Sequence, residues 1–365
     1  MVRAGGARDG KQVVCGRRCR DGMNARVELE ELMDAGRVER LRQKGALVLD
    51  VDDTLLARVR ADGGAGEETF AESAAAAGLP ELLRRGFRVC LITGHGWRQL
   101  EARLVAPVIE NLRESGKAAC VERLRVYANR GATKIVCDGA RREVDEVYGE
   151  RYQLRAEDVP ALSRLLESLW AEFEVDVKAR GRWYEAAFPR FDFSTLPARV
   201  SEREGAVLVL RPVPSRIHAA ADDAAATTNP RAELYARGLE LLQRARLSDR
   251  YELAESGRSS IEITRRGVSK EAAMRDAMAE LSASSGACEG DVEEASVYVG
   301  DEFFAGGNDY VIPQLFPRAL CLSVAGGHEA EAAAGVVSLA RMTGAAGTAA
   351  TERFLAHILR LSARV

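Results

Sequence analysis

Ala46-Leu-Val-Leu-Asp50-Val-Asp52-Asp53-Thr54-Leu55 holds the pattern from which the rest of the chain is read. Its apolar run is too short for a helix and apolar on both faces, which suits a buried strand of a parallel sheet covered by helices. The run ends in carboxylates at positions i and i+2, which share a side on an extended chain, so Asp50 and Asp52 can converge on one ligand. Adjacent acids repel unless a cation or protons compensate. A hard, oxygen-seeking Mg2+ is the natural compensation, with Asp301 from a neighbouring strand end as a third donor. Acids also commonly open loops after strands, so these residues by themselves leave that plainer reading open.

Similar runs recur along the chain: Val89-Cys-Leu-Ile before Thr93, Val297-Tyr-Val before Gly300-Asp301, and Ala319-Leu-Cys-Leu-Ser-Val. In open α/β sheets the ligand lies beyond the carboxyl ends of the strands, where Asp50, Thr93 and Asp301 fall. Ser269 reads as a helix cap and Lys270 as a first-turn residue. A cation there opposes the helix dipole by roughly 0.3–1 kcal/mol, so a partner is expected to draw on its charge. A solvated surface lysine is the alternative.

Between Thr93 and Lys270 the texture changes. Residues 158–173 place Leu162, Leu165, Leu166, Leu169 and Phe173 on one helical stripe, with Asp158 as a cap. Strands are expected at 175–188 and 205–212, a helix from Asn229-Pro230, and two more strands at 250–254 and 260–264. The segments 189–204 and 213–228 read as surface loops. This order makes a small α+β unit inserted into the parallel-sheet domain. The expected division is an N-terminal extension over 1–44, a core over 45–125 and 265–365, and an insert over 126–264. Residues 1–27, rich in Arg and Gly, read as a disordered leader without a secretory signal. Cys15 and Cys19 there lack later partners at metal spacing. A helix is expected over 28–43, and a helix-prone tail over 329–364.

The 365 residues are 47% hydrophobic and 29% charged, a globular composition of about two domains. A formal net charge of −3 is too near zero to select nucleic acid or an acidic membrane as partner. No apolar run reaches the roughly 18 residues of a membrane span. Seven scattered cysteines fit a reducing compartment, and a cytoplasmic location is expected.

Asp50-x-Asp52-x-Thr54, Thr93-Gly94, Lys270 and Gly300-Asp301 with Asn308-Asp309 resemble, in order, the four motifs of the haloacid dehalogenase superfamily. The long gap between Thr93 and Lys270 is where type IIB members carry an α/β cap, and Asn129-Arg-Gly131-Ala resembles the turn many place before it. Ile261-Glu-Ile-Thr-Arg-Arg-Gly-Val-Ser-Lys270 is similar to the cap-exit segment of sugar-phosphate phosphatases of this branch. The resemblance implies a Rossmann-like parallel-sheet core with an inserted α+β cap. It also implies a Mg2+-dependent phosphatase acting on a small phosphorylated metabolite, here a sugar phosphate, through an aspartyl phosphate.

By that resemblance Asp50 is the nucleophile, Asp52 the general acid and base, Thr93 a phosphate contact, and Lys270 the charge stabiliser. Asp50, the Asp52 backbone carbonyl and Asp301 hold the metal, with Asn308 and Asp309 in its shell directly or through water. Thr54 and Gly94 border the phosphate. Asp53 stands where Gly is usual, and Asp also tolerates turn geometry. His95 stands where many relatives have Arg, either as a plain loop residue or as a group titrating near neutral pH. Gly300-Asp301 through Gly307-Asn308-Asp309-Tyr resembles the corresponding segment of eukaryotic-type phosphomannomutases, and Ser260 and Glu262 resemble their sugar contacts. A sugar phosphomutase is therefore one alternative, and a non-catalytic phosphosugar-binding protein another. Arg182, Trp183 and Tyr184 read either as leaving-group contacts or as strand-edge packing.

Overall fold

The apolar runs form strands because each can be covered on both sides. In the computed structural model, which describes residues 29–57, 68–139, 141–179, 200–210, 230–256, 260–304, 307–326 and 333–363, the chain-ordered strands are β1 Leu47–Asp50, β2 Val89–Ile92, β3 Leu124–Ala128, β4 Thr133–Asp138, β5 Arg141–Val144, β6 Val200–Arg203, β7 Val207–Leu210, β8 Tyr251–Ser256, β9 Ser260–Arg265, β10 Val297–Gly300, β11 Leu320–Ser323 and β12 Val336–Ser338. One sheet runs β12-β11-β10-β1-β2-β3-β4-β5, parallel from β12 to β3 and antiparallel at β4 and β5. β1 lies in its middle, with Leu47 opposite Val89 on one side and Val297 on the other.

Strand alternation sends side chains into two cores. Leu47, Leu49, Leu91, Val126, Val297 and Val299 pack with the helices Ala35–Lys44 and Thr348–Ser362 on one face. Val48, Cys90, Ile92, Tyr127, Tyr298 and Cys321 pack with Ala273, Met274, Ala277 and Met278 of the helix Lys270–Ser285 on the other. The uninterrupted apolar character of these strands is thus the signature of a sheet buried on both sides.

The second sheet is antiparallel, in the order β6-β7-β9-β8. Leu208, Leu210, Ile261 and Ile263 point to its helices, meeting Leu162, Leu166, Leu169 and Trp170 of Val159–Ala179 and Leu234 and Leu242 of Pro230–Arg244. Val207 and Val209 point the opposite way, onto Ala132 of the first sheet's domain. The fold is the expected Rossmann-like parallel-sheet core with an α+β cap. No described helix is long and apolar enough to cross a membrane.

Several expectations need correction. The sequence pattern starts the insert at residue 126, yet Val126, Tyr127 and Ala128 are buried strand residues, and β4 and β5 extend the same sheet. After β3 the chain reverses and pairs with itself, Ala128 opposite Thr133, a local antiparallel step that a search for parallel runs overlooks. The strand expected from 175 gives way to helix, which continues to Ala179. Val175 and Val177 alternate as in a strand, but an established helix gains a hydrogen bond for each added residue. Val200–Arg203, expected in a loop, is β6, paired among the described residues only with β7 and too polar to stand out. The tail expected to be helical also carries β12, parallel to β11. The leader, Arg182-Trp183-Tyr184 and 213–228 lie outside the described residues.

Candidate active site

Strand order reverses between β1 and β10, since β2 and β3 follow on one side while β10 and β11 lie on the other. At such a switch point the connections part and open a crevice over the strands' carboxyl ends. Asp50 is the last residue of β1, and Asp301 directly follows β10. Carboxylate oxygens of Asp50, Asp301 and Asp309 lie within 4.8 Å of one another.

Lys270 joins them. Its Nζ is 3.0 Å from Asp50 Oδ1 and 2.8 Å from Asp309 Oδ1, and the side chains of all three are at most 2% exposed. Ser269 Oγ caps the helix by accepting from the Ala272 N–H at 3.1 Å, which fixes where the ammonium enters. Asp309 is held further by the Tyr298 hydroxyl at 2.5 Å and the Glu302 N–H at 3.1 Å. Gly300 makes room for it, because a Cβ there would overlap Asp309 Oδ2.

Burial pushes the Asp50 carboxyl up to about 7; the Lys270 charge opposes this, while Asp309 and Asp52 add to it. Burial works against the Lys270 charge as well, but Asp309 and Asp50 outweigh it and raise the ammonium above its ordinary value. Tyr298 is raised by burial first and by Asp309 next, so its hydroxyl stays a donor. One ammonium therefore faces three clustered carboxyl groups. Asn308 Oδ1 is buried with no hydrogen-bond partner among the described residues. The three clustered carboxylates form a hard all-oxygen donor set, which fits Mg2+.

Beside this cluster, Thr93 is fully buried. Its Oγ1 accepts the His95 N–H at 3.0 Å, which leaves the hydroxyl hydrogen to donate to a ligand oxygen. His95 is no plain loop residue: its Nε2 lies 2.6 Å from Asp52 Oδ1 and its Nδ1 3.0 Å from Gln99 Oε1. Asp53 has φ 54°, the left-handed conformation in which Asp can replace Gly. Thr54 is fully buried, and its hydroxyl has no hydrogen-bond partner among the described residues.

The turn after β3 braces this loop. Asn129, Arg130 and Gly131 have φ of 53°, 60° and 95°, a left-handed run that costs a non-glycine residue roughly 1–2 kcal/mol. The conformation lets the Asn129 N–H reach His95 O at 2.7 Å and the Arg130 N–H reach Thr93 O at 2.8 Å. Gly131 also packs where a Cβ would lie 2.6 Å from Ser269 O.

The cap grips the same loop with residues that sequence reasoning missed. Arg203, at the end of β6, donates to Gly94 O and, at 2.5 Å, to Glu262 Oε1. Glu204 accepts from the N–H groups of Trp97 at 2.7 Å and Arg98 at 2.8 Å, and from Asn129 Nδ2 at 3.0 Å. The local signal was faint, a charged pair before Gly205 in a polar hairpin. Glu262, expected as a sugar contact, is 1% exposed and lies 3.6 Å from Arg130, and its Oε2 has no hydrogen-bond partner among the described residues. Ser260 starts β9.

Replacing Glu204 by Ala strips three donors of their acceptor. We expect a loss of about 1–3 kcal/mol in stability and faster amide exchange at Trp97 and Arg98, read by hydrogen–deuterium exchange. Unchanged protection at both amides would contradict the cap's grip on this loop.

Among the expected site residues, Asp50, Lys270, Asp301 and Asp309 come together, with Asn308 on the same loop as Asp309. Asp52 and Thr93 meet through His95. Tyr298 and Glu302, not singled out in the sequence, complete the support of Asp309.

No protein-family model matches the sequence, and no curated protein does. Among solved structures, the chain is similar to an N-terminally truncated IMP-nucleotidase of Plasmodium falciparum, at 13% identity and TM-score 0.52 over 91% of this chain and 75% of that one. The IMP-bound form of the truncated enzyme aligns at 14% identity and TM-score 0.51, over 89% and 71%. A haloacid dehalogenase-like hydrolase from Bacteroides thetaiotaomicron aligns at 13% identity and TM-score 0.46, over 86% and 99%. At these identities the two nucleotidase structures show a shared fold.

Proposed function

We propose that this chain is a Mg2+-dependent phosphatase that hydrolyses a phosphate monoester carried on a sugar, free or within a nucleotide. The observation that carries this is the meeting of Asp50, Lys270, Asp301 and Asp309 at the switch point of the sheet. IMP, bound in one of the similar structures, carries its phosphate on ribose and belongs in the same class.

The chemistry follows from the groups present. An Asp50 carboxylate oxygen bonds to phosphorus while the ester P–O bond breaks, and the leaving oxygen takes a proton from Asp52. Water then attacks the aspartyl phosphate, Asp52 receives its proton, and the P–O bond to Asp50 breaks. Lys270 balances charge at Asp50 throughout, and Thr93 donates its hydroxyl to a phosphoryl oxygen. Asp50, Asp301 and the Asp52 carbonyl would hold Mg2+, with Asn308 and Asp309 beside it. The bound ion supplies positive charge that lets an anionic nucleophile approach an anionic phosphate. The cap, seated on Gly94–Arg98 by Arg203 and Glu204, shields the reaction from bulk water.

The mutase alternative rests on Ser260 and Glu262 as sugar contacts; Glu262 pairs with Arg203 and Arg130, and its Oε2 has no hydrogen-bond partner among the described residues. A panel of sugar phosphates and nucleoside monophosphates tests the proposal, with release of inorganic phosphate as the readout. We expect release that needs Mg2+, stops with a chelator and is absent from Asp50→Asn. Release persisting in Asp50→Asn rejects the nucleophile. Isomerised sugar phosphate without net release makes the chain a mutase, and binding without turnover makes it a non-catalytic binder.

A further inference from the structure

We infer that His95 is a positioning residue, holding Asp52 in the orientation from which it protonates the leaving oxygen; the inference rests on the phosphatase reading above. Both ring nitrogens are engaged, Nε2 at 2.6 Å from Asp52 Oδ1 and Nδ1 at 3.0 Å from Gln99 Oε1. An imidazole held at both ends keeps one orientation and passes that constraint to the carboxyl it touches.

Its backbone is held too. The His95 N–H donates to Thr93 Oγ1 at 3.0 Å, and its carbonyl accepts from Asn129 N–H at 2.7 Å. The same short loop thus presents a hydroxyl for a phosphoryl oxygen and a ring for the acid. Burial separates the two aspartates. Asp50 and Lys270 are 2% exposed, whereas the Asp52 and His95 side chains are 12% and 19% exposed. Packing confines Asp50. Asp52 stands at the rim, where a leaving group departs and water enters, and there a directed hydrogen bond has to do what packing does deeper in. The Arg203 and Glu204 contacts lie on Gly94, Trp97 and Arg98, so the seated cap brackets His95 from both sides in sequence.

The test exploits the leaving group. A basic alkoxide needs the proton from Asp52, and nitrophenolate does not. The measured quantity is kcat/KM, which covers steps through the first phosphoryl transfer, for benzyl phosphate and p-nitrophenyl phosphate with Mg2+. We expect His95→Ala to lose roughly 10–100-fold on benzyl phosphate and less than about 3-fold on p-nitrophenyl phosphate. His95→Gln, which keeps an N–H donor, should recover most of the loss. In an Asp52→Ala background, removing His95 should cost nothing further, because the two act as a unit.

Equal losses on both esters, or no loss on either, overturn the inference, as does full additivity with Asp52→Ala. Should the wild type release phosphate from neither these esters nor the metabolite panel, the phosphatase reading falls and this inference with it. Thermal midpoints identify a misfolded His95→Ala, in which case His95→Gln and His95→Asn, compared across the two esters, decide the matter by the same criterion.

Discussion

Asp50→Asn should lose phosphate release by at least roughly 10⁴-fold and yet, without metal, melt at a higher temperature than the wild type. The two effects share one cause. Asp50 is buried among Asp309, Asp52 and a single ammonium, and its carboxyl is raised from the ordinary 3.8 to about 7. A carboxyl whose folded pKa is raised favours folding in full only below its unfolded value, about 4, and that contribution is lost as pH rises through about 7. Metal-free wild type should therefore lose stability across this window, and the Asn variant should not.

Neutralising one acid leaves Lys270 paired with Asp309, so the replacement strands no cation. At pH 8 with a chelator we expect Asp50→Asn to be more stable by about 1–3 kcal/mol, and near pH 5 the gap should shrink. Excess Mg2+ should raise the wild-type midpoint more than the variant's, because a ligand that binds only the folded form stabilises it. A variant melting below wild type at pH 8 without metal would show that Asp50 is not held at a cost.

Lys270→Met carries the opposite sign. It removes the one ammonium from a cluster whose carboxylates are nearly inaccessible to water. Uncompensated buried charge of this kind costs about 3–5 kcal/mol, a large part of a typical stability of about 5–15 kcal/mol. We expect a marked drop in the urea midpoint, loss of activity, and partial restoration of stability by Asp309→Asn in the same chain. Divalent cations should also restore part of it, since they return positive charge to the same place. A midpoint within about 0.5 kcal/mol of wild type would mean that Lys270 is a solvated lysine, the plainer of its two sequence readings.

Much of the site was legible because it is built on local signals. A strand buried on both faces must be apolar along its whole length, so β1, β2, β10 and β11 announce themselves in four-residue runs. A carboxylate or hydroxyl at the end of such a run lies on the rim of the sheet. Asp50, Thr93 and Asp301 end or follow such runs, and the capped start of helix 270–285 similarly marks Lys270.

What sequence could not supply is who meets whom. Tyr298 reads as one more apolar strand residue, and only folding brings its hydroxyl to Asp309. Val200–Arg203 and Glu204 look like a polar loop, since a short edge strand needs neither apolar faces nor periodicity. Nothing near Glu262 in the sequence announces that Arg130 and Arg203 pair with it from elsewhere in the chain.

The parallel core, the acids at its rim and the presence of an inserted unit can be read along the chain, because burial of alternating faces and capping act within a few residues. Which charges are matched, that His95 touches Asp52, and where the cap takes hold follow from the folded arrangement. Those outcomes depend on distances of a few ångströms between groups far apart in the chain, Lys270 and Asp50 among them, and no periodicity along the chain encodes them.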